Sequence, residues 1–295
     1  MLEIKPIFNA LRRSKVGAIL LFLQIALTTA VVSNAAFMIN DHLSYLKEDT
    51  GFVQQEIFSF GLMTFGKDID LHQQAERDED MIRRIPGVID AVFIQAVPLT
   101  GGGSSTSSHL RPPPEESKSL SLAYYNADEH TLDTFGVTLL EGRNFRPEEV
   151  VIGSDFDGHG PNTVIVSQAY AQEMFEGESA LGKTIYVSSR PLEIIGVVET
   201  MKSPWPRGDR SSRTSIIPFI NVQNFHRVMV RTEASERDSV MKVIEDKMLS
   251  QYDQRVIINI RGLEESKNSY DATDVLMMRM LMVLVVILVL VTALG

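Results

Sequence analysis

The hydrophobic pattern of the chain is dominated by two long apolar runs, one near each end. Residues 16–39 contain no charged side chain, and residues 275–295 contain only one, Arg279. A helix of about 20 apolar residues can cross the ~30 Å hydrocarbon layer of a membrane. The sequence therefore predicts one transmembrane helix at 16–39 and a second at 275–295.

The first apolar run follows a basic segment, residues 1–15, in which apolar and basic positions can occupy opposite faces of a helix. Such a segment is typical of a helix that lies along the membrane interface. Four basic residues, which we expect to set the orientation and to couple the chain to its partner, precede the run: Lys5, Arg12, Arg13 and Lys15. By the positive-inside rule, the N-terminus is expected in the cytoplasm and the middle of the chain outside.

A cleavable signal peptide is the alternative interpretation of this N-terminal segment. Small residues near Ala35 and Ala36 resemble a cleavage site. The apolar run is long for the 7–15-residue core of a signal peptide, so a retained anchor is the better interpretation.

Two stretches of the exported region share a strand–helix–strand pattern. Residues 40–98 are predicted to hold a helical stalk that ends near Gly51, followed by a strand, a polar helix and a second strand. Residues 221–274 are predicted to hold the second unit and a second stalk. A core-facing stripe at i, i+3, i+4 spacing marks its helix: Val240, Val243, Ile244, Lys247 and Met248. If the strands of a unit are parallel neighbours, a right-handed crossover is expected.

Between these units, composition predicts a loop followed by a β-rich insert. Residues 99–117 are rich in Gly and Ser and contain the run Pro112–Pro114, which favours a flexible loop. Residues 118–220 contain short strand-like pieces separated by turn residues, and one short helix with Ser167 as its N-cap. The predicted fold class is α+β: two transmembrane helices flank an exported domain of two β-α-β units with an inserted β-rich subdomain.

Charge and cysteine content exclude several function classes. The chain has 28 basic and 38 acidic residues; the apolar ends (1–39 and 275–295) hold five of the bases and one of the acids, which leaves 23 basic and 37 acidic residues, a net charge of −14, between them. Nucleic-acid binding depends on a basic surface, so no nucleic-acid partner is expected. With no cysteine, the chain has no disulfide, thiol nucleophile or Cys-ligated metal.

Three short motifs suggest a specific site, but each has a simpler interpretation. The run Asp155, Asp157 and His159 faintly resembles a calcium loop but lacks its downstream Glu, and a turn is favoured. The segment 128–133, which contains three acids and His130, is interpreted as a solvated helix start rather than a metal site. The RGD at 207–209 carries no function by itself. The hydrolase Gly-x-Ser-x-Gly elbow and the phosphate-binding Gly-x-x-x-x-Gly-Lys-Ser/Thr loop are both absent, so no catalytic, cofactor or metal site is predicted.

Four ordered segments carry a family resemblance: TFGVTLLEGRNF (134–145), NTVIVSQAYAQEMF (162–175), ALGKTIYV (180–187) and LEIIGVVET (192–200). Together with IRRIPGVIDAVF (82–93), they resemble the periplasmic core domain of MacB-like (FtsX-like) ABC transporter permeases. The resemblance covers essentially the whole chain.

The resemblance implies a permease in the bacterial inner membrane, with its large domain periplasmic and with export or efflux of a peptide, antibiotic or lipoprotein as its role. ATP would be bound by a cytoplasmic ABC ATPase partner, and a second permease copy or a paralogue is expected beside it. A periplasmic adaptor and membrane lipid are further implied partners. Such permeases have four spans, so two more are expected after Gly295.

Seven residues of these segments are predicted to have structural roles: Pro86, Gly87, Gly142, Arg143, Phe145, Gly182 and Gly196. Pro86–Gly87 should end a helix. Gly142 should form a left-handed turn that sends Arg143 and Phe145 toward the subdomain core, and Gly196 should allow close backbone packing. Gly182 is interpreted as a helix stop.

The sequence is also compatible with two other function classes. A two-span sensor, such as a receptor or histidine kinase with an extracytoplasmic ligand-binding domain, shares the topology and would need a ligand pocket. An anchored extracytoplasmic enzyme would need a convergent acid–base or metal site, which the sequence does not show.

Overall fold

The computed structural model describes residues 15–66, 69–153, 160–208, 210–251 and 254–294. The helices are α1 (Lys15–Leu46), α2 (Leu71–Arg83), α3 (Thr131–Phe135), α4 (Gln168–Phe175), α5 (Arg237–Gln251) and α6 (Leu263–Leu294). The strands are β1 (Ile57–Thr64), β2 (Val88–Ile94), β3 (Ser104–His109), β4 (Ser119–Ala127), β5 (Leu139–Gly142), β6 (Val151–Gly153), β7 (Thr163–Ser167), β8 (Thr184–Val187), β9 (Arg190–Val198), β10 (Thr214–Asn221), β11 (Phe225–Thr232) and β12 (Arg255–Gly262). The chain divides into two compact units: a core domain over residues 49–270, and the terminal helical regions.

A four-stranded antiparallel sheet with the order β12-β1-β11-β2 forms the first lobe of the core domain. The units β1-α2-β2 and β11-α5-β12 interleave, so the two strands of each unit are parallel but separated by a strand of the other unit. This is the split β-α-β arrangement, not a pair of simple crossovers between parallel neighbours. A right-handed crossover was expected only if the strands of a unit were parallel neighbours, and they are not neighbours. Strands β12 and β2 form the two edges of the sheet.

Both faces of this sheet are buried, which explains the nearly continuous apolar run of β1. On one face, Phe58 and Phe60 pack against Ile82 of α2 and Ile244 of α5. On the other face, residues such as Ile57 pack against the second lobe. The apolar stripe of α5 is narrower than predicted, because Val243 and Lys247 are exposed.

The second lobe is a small β-barrel. Strand pairings run β4-β3-β8-β9-β7-β10 and return from β10 to β4, which closes a ring of six strands, while β5 and β6 add to β9 and β10. Closure leaves no free edge within the ring. Helix α4 packs its apolar face, including Tyr170 and Met174, into this lobe. The predicted N-cap is confirmed, since the Ser167 hydroxyl accepts a hydrogen bond from the Tyr170 N–H.

The prediction of a flexible loop over 99–117 is wrong for residues 104–109. These residues form β3, which pairs with β4 along its whole length and with the end of β8. A serine- and threonine-rich segment has no apolar alternation, so the composition suggested a loop. Pairing with two neighbouring strands supplies the backbone hydrogen bonds that make it a strand.

The terminal helices α1 and α6 are both long enough and apolar enough to cross a membrane. Helix α1 ends at Leu46, before the predicted stalk end near Gly51, and α6 begins at Leu263. Within this helical unit, the Tyr45 hydroxyl donates a 2.7 Å hydrogen bond to the Asp271 carboxylate. The hydroxyl oxygens of Thr28 and Thr292 lie 2.9 Å apart.

Candidate functional site

The family segments meet at a close backbone crossing between β5 and β9, where Gly142 is paired with Gly196. Gly142 has a φ of +82°, and a Cβ there would lie 2.1 Å from the Ile195 carbonyl oxygen. A Cβ on Gly196 would lie 2.7 Å from the Arg143 carbonyl oxygen. Gly142 therefore has the predicted left-handed conformation, and the approach of the two strands explains why neither position has room for a side chain.

Two residues after Gly142 were expected to turn toward the core, and only one of them does. Phe145 is buried in the cluster between the sheet and the barrel. Arg143 is directed to the surface instead, where both of its terminal nitrogens bind the Glu149 carboxylate at 2.6 Å. The core position predicted for Arg143 is wrong because a guanidinium is stabilised where water and a carboxylate can both reach it.

The Pro86–Gly87 pair follows the end of α2, as predicted, and it also positions the other helix of the lobe. Gly87 has a φ of +90°, and its carbonyl oxygen accepts a hydrogen bond from Glu233 at 3.2 Å. A Cβ on Gly87 would lie 3.1 Å from the Val240 side chain of α5. Position 87 therefore requires glycine for two reasons, the positive φ and the close approach of the turn to α5.

Gly182 is not a helix stop. Helix α4 ends in a left-handed C-cap at Glu176, which is followed by Gly177 at φ +87°. Gly182 lies in the turn before β8 with a φ of +76°, and its N–H donates to the Ile194 carbonyl at 2.8 Å. Its role is to hold that turn against β9.

The most unusual chemistry of the core domain is a group of charged side chains beside strand β2, here called the edge cluster: Glu79, Arg83, Asp90, Asp128 and His130. Three of these residues are carboxylates with exposures of 4–7 %. Arg83 lies 3.3–3.4 Å from all three of them. The His130 Nδ1 lies 3.0 Å from the Asp90 carboxylate.

The edge cluster completes the hydrogen bonding of the edge strand. Arg83 donates two hydrogen bonds to the Ala91 carbonyl, at 2.9 and 3.1 Å, and the Glu79 carboxylate accepts one from the Phe93 N–H at 2.9 Å. The outward backbone groups of an edge strand are otherwise open to another chain. Helix α2 therefore covers β2 with charged side chains in place of a further strand.

The same cluster joins the two lobes. Asp128 follows β4 of the barrel, and its carboxylate accepts a 2.9 Å hydrogen bond from the His130 N–H while it faces Arg83 of the sheet lobe. A helix does start in the segment 128–133, at Thr131, but the prediction that this start is solvated is wrong for Asp128, which is only 4 % exposed. Sequence alone offered one signal, a carboxylate directly after an apolar strand, and could not show that Arg83 would lie opposite it.

Burial changes the proton affinity of this cluster. Burial raises the pKa of Glu79 well above its usual value, and the nearby Asp128 charge raises it further against the opposing effect of Arg83. Burial also raises the pKa of Asp128, to about 6, despite Arg83 and His130. The hydrogen bond to Asp90 raises the pKa of His130. All three groups thus hold protons more tightly in the folded state than in the unfolded chain.

Helix α2 forms a second buried ionic contact, a pair between Asp78 and Arg255. Arg255, at the start of β12, binds the Asp78 carboxylate through both terminal nitrogens at 2.8 and 2.9 Å. Its side chain is fully buried and that of Asp78 is 5 % exposed. Burial raises the pKa of Asp78, while the guanidinium opposes the rise.

Four members of the edge cluster, all except Asp90, line an open groove of about 360 Å³ between α2 and the barrel. Within the described ranges, no group of three or more His, Asp or Glu side chains is arranged to hold a metal ion. The members of the cluster bind one another and the backbone of β2, so the arrangement holds the two lobes together.

Several predicted residues cannot be placed. Lys5, Arg12 and Arg13 lie outside the described residues, as do Asp155 to His159 and the Asp of the RGD segment. Lys15 is the first residue of α1 and is exposed. The orientation assigned to these basic residues stays a prediction.

Comparisons with known proteins show one family match and several similar solved structures. A family model described as the MacB-like periplasmic core domain matches residues 16–247. The extracellular domain of the ABC-type transporter YknZ from Gram-positive bacteria is 18 % identical, with coverage of 68 % of this chain and 100 % of that one and a TM-score of 0.42. The periplasmic region of MacB from Actinobacillus actinomycetemcomitans is 16 % identical, with coverage of 77 % and 98 % and a TM-score of 0.43. No curated protein sequence matches the chain.

Proposed function

Because the chain belongs to the family of MacB-like periplasmic core domains, we propose that it is a permease subunit that couples ATP hydrolysis by a cytoplasmic partner to movement of its extracytoplasmic domain. The substrate would be exported, and peptides, antibiotics and lipoproteins are the proposed classes. The family match favours this function over a two-span sensor. The N-terminus is proposed to be cytoplasmic, with Lys5, Arg12, Arg13 and Lys15 on that side.

The observation that best supports coupling is the contact between the two terminal helices within the helical unit. The Thr28–Thr292 and Tyr45–Asp271 hydrogen bonds join α1 to α6 at two levels. We propose that α1 and α6 move against each other when the partner hydrolyses ATP, so that such contacts break and form again in each cycle.

A reversible cross-link tests this proposal, because the chain has no cysteine of its own. The double variant Thr28→Cys/Thr292→Cys places two thiols where the hydroxyl oxygens are 2.9 Å apart. We expect oxidation to suppress ATP hydrolysis by the ATPase that co-purifies with the full-length permease in nanodiscs, and reduction to restore it. Each single cysteine variant is the matched control.

Unchanged ATP hydrolysis in a sample shown by mass spectrometry to be fully cross-linked would contradict the proposed movement of α1 against α6. Orientation is tested separately by charge reversal at Arg12 and Arg13, with protease accessibility of the core domain as the readout. Unchanged topology in that variant would remove the proposed role of these two residues.

A further inference from the structure

A pocket of about 310 Å³ lies on the face of the four-stranded sheet that is turned away from α2 and α5. Strands β1, β11 and β12 form its floor, and the segment after β2 and the first turn of α6 contribute the rest of its wall. The whole wall belongs to the core domain. We call it the arginine pocket, and the residues that carry the argument are Ser59, Gly61, Phe225, Arg227 and Arg261.

The wall of the arginine pocket contains two guanidinium groups and, among the described residues, no carboxylate. Arg227 donates to the Gln95 carbonyl at 2.9 Å, and its guanidinium lies 5.1 Å from the centre of the Phe225 ring. These two contacts hold the group in place and leave most of its five N–H donors without a protein partner. Arg261 makes only a long contact, 3.4 Å, with the Ser269 hydroxyl. Neither arginine forms an ion pair with a described Asp or Glu.

A β-bulge in β12 places Arg261 on this face of the sheet. Gly61 is paired with Ile258 and Ser59 with Arg261, so a two-residue step along β1 matches a three-residue step along β12. The irregularity coincides with Asn259, which has a φ of +53°. Because side chains alternate between the two faces, a regular strand would direct residue 261 toward α2 and α5 instead.

The two arginines lie on opposite sides of β1. Arg227 is paired with Gly61, whereas Arg261 is paired with Ser59. Two strand spacings of ~4.8 Å and two residues of ~3.3 Å separate their Cα atoms, which gives a distance of roughly 12 Å. Both side chains are long enough to reach a group between them. Gly61 has no side chain, so the space above the middle of the floor stays open.

Ser59 adds a neutral donor at the floor of the pocket. The residue is only 7 % exposed, and its hydroxyl has no hydrogen-bond partner among the described residues. Its oxygen keeps accessible surface, so a ligand in the pocket can reach it. The hydroxyls of Thr100 and Ser266 instead donate to nearby backbone carbonyls at 2.9 and 3.0 Å. The pocket thus offers two guanidiniums and one hydroxyl as free donors, a set that favours an oxyanion.

We propose that the arginine pocket binds the carboxylate or phosphate of a small anionic molecule through Arg227, Arg261 and Ser59. A guanidinium can bind either oxyanion with two parallel hydrogen bonds. The side chains of Phe225 and Ile258 add apolar surface beside the charged groups, so an anion that carries a ring or a short chain fits better than inorganic phosphate. This ligand-binding function of the extracytoplasmic domain does not depend on coupling to an ATPase.

Binding of phenyl phosphate and benzoate to the full chain in phosphatidylcholine nanodiscs tests the proposal. Benzyl alcohol is the neutral probe of similar size, and empty nanodiscs measure partition into lipid. Saturation-transfer NMR should show saturable binding of at least one anion with a millimolar or lower dissociation constant, and at least about tenfold weaker binding of benzyl alcohol. Raising NaCl from about 50 to about 500 mM should weaken anion binding, because salt screens the guanidinium charges.

Variants assign the binding to named side chains. Arg261→Gln and Arg227→Gln should each weaken anion binding at least about tenfold, and Ser59→Ala should cause a smaller loss. Arg111→Gln is the matched control, because it removes the same charge from an exposed position outside the pocket and should bind as the wild type does. The urea midpoint of Arg261→Gln should equal that of the wild type, which separates a ligand site from a structural role.

Equal binding of benzyl alcohol and the anions would overturn the proposal, since the pocket would then recognise only the ring. Unchanged affinity in both folded arginine variants would overturn it as well, and so would the absence of anion binding up to about 20 mM.

Native mass spectrometry separates two sources of the same oxyanion chemistry, a lipid headgroup and a soluble molecule. The full chain is released from nanodiscs that contain phosphatidylglycerol. One retained lipid that is lost in Arg261→Gln and kept in Arg111→Gln would identify a lipid headgroup as the occupant. Saturable anion binding without any retained lipid would identify a soluble anion.

Discussion

Asp78 and Glu79 are adjacent residues of α2, but their side chains contact opposite edges of the same sheet. The number of charged groups around each of them differs. Asp78 accepts hydrogen bonds from both terminal nitrogens of Arg255 on β12. Glu79 belongs to the edge cluster beside β2, where three carboxylates lie next to one guanidinium. Counted over the described residues, the charges of Asp78 and Arg255 cancel, whereas the edge cluster carries a formal charge of −2 when His130 is neutral.

The difference decides how each assembly responds to protons. A balanced buried pair is held by mutual attraction, and removal of either partner leaves an uncompensated charge. In the edge cluster, burial is the main cause that raises the pKa of Asp128 to about 6, and the guanidinium of Arg83 only partly opposes it. One edge of the sheet is therefore held by a charge pair, whereas the assembly at the other edge responds to pH near 6.

The largest effect is expected at the balanced pair. Arg255→Met leaves Asp78 buried without a partner and should lower the free energy of unfolding by about 3–5 kcal/mol. The double variant Asp78→Leu/Arg255→Met should recover more than half of that loss. Urea unfolding of the full chain, followed by fluorescence of its single tryptophan, Trp205, measures both.

The control is Arg261→Met on the same strand, at an exposed position, with an expected change below about 0.5 kcal/mol. If the double variant were as unstable as the single one, packing rather than charge pairing would explain the cost.

The next effect is expected at Arg83, which serves both the carboxylates and the Ala91 carbonyl. Arg83→Met should cost about 2 kcal/mol at pH 7.5 and less at pH 5, because Glu79 and Asp128 can then bind protons. Arg84→Met is the matched control, since Arg84 is the next residue, its side chain is 80 % exposed, and its ion-pair partner among the described residues is the surface carboxylate of Asp80. An equal loss in Arg83→Met at both pH values would show that the cluster is not proton-sensitive.

A pH-dependent effect is expected at Asp128. Its folded pKa of about 6 lies above the usual 3.8, so its contribution to stability is lost as the pH rises from about 4 through 6. The stability of the wild type relative to Asp128→Asn should therefore fall by an amount of the order of 2 kcal/mol over that range. His226 has the opposite sign, because its pKa is lowered, and it cancels in this difference. A difference that is flat with pH would contradict the assignment.

The smallest effect is expected at His130. Its raised pKa means that it stabilises the fold below pH 6.5 and that this contribution disappears as the pH rises through its folded pKa. His130→Gln should cost less than about 1 kcal/mol at pH 6 and nothing measurable at pH 8.5. Urea midpoints at the two pH values decide this, and a constant cost would indicate packing alone.

The parts of the fold that were predictable are those in which a local pattern has a single solution. The apolar runs, the helix stop at Pro86 and the left-handed turn at Gly142 each depend on a few neighbouring residues. Strand β3 was not predictable, because its serines contain no alternation and its state depends on β4 and β8.

The candidate sites depend even more on distant parts of the chain. Arg83 and Asp128 are 45 residues apart in the chain, and Asp78 and Arg255 are 177 residues apart. Hydrophobic periodicity indicates which face of one element is buried, but it does not show which polar groups several elements enclose together. Charged side chains such as Arg143 and Asp128 therefore depart from their predicted positions.

The sequence by itself determined the two spans, the acidic region between them, the repeated strand–helix–strand units and the family segments. Each of these features depends on composition or on the spacing of neighbouring residues. Tertiary structure alone decided that the units interleave, that the barrel closes, and which carboxylates lose contact with water. The physical reason is that desolvation belongs to the packed assembly: the proton affinity of Glu79 or Asp128 is set by what surrounds it in space.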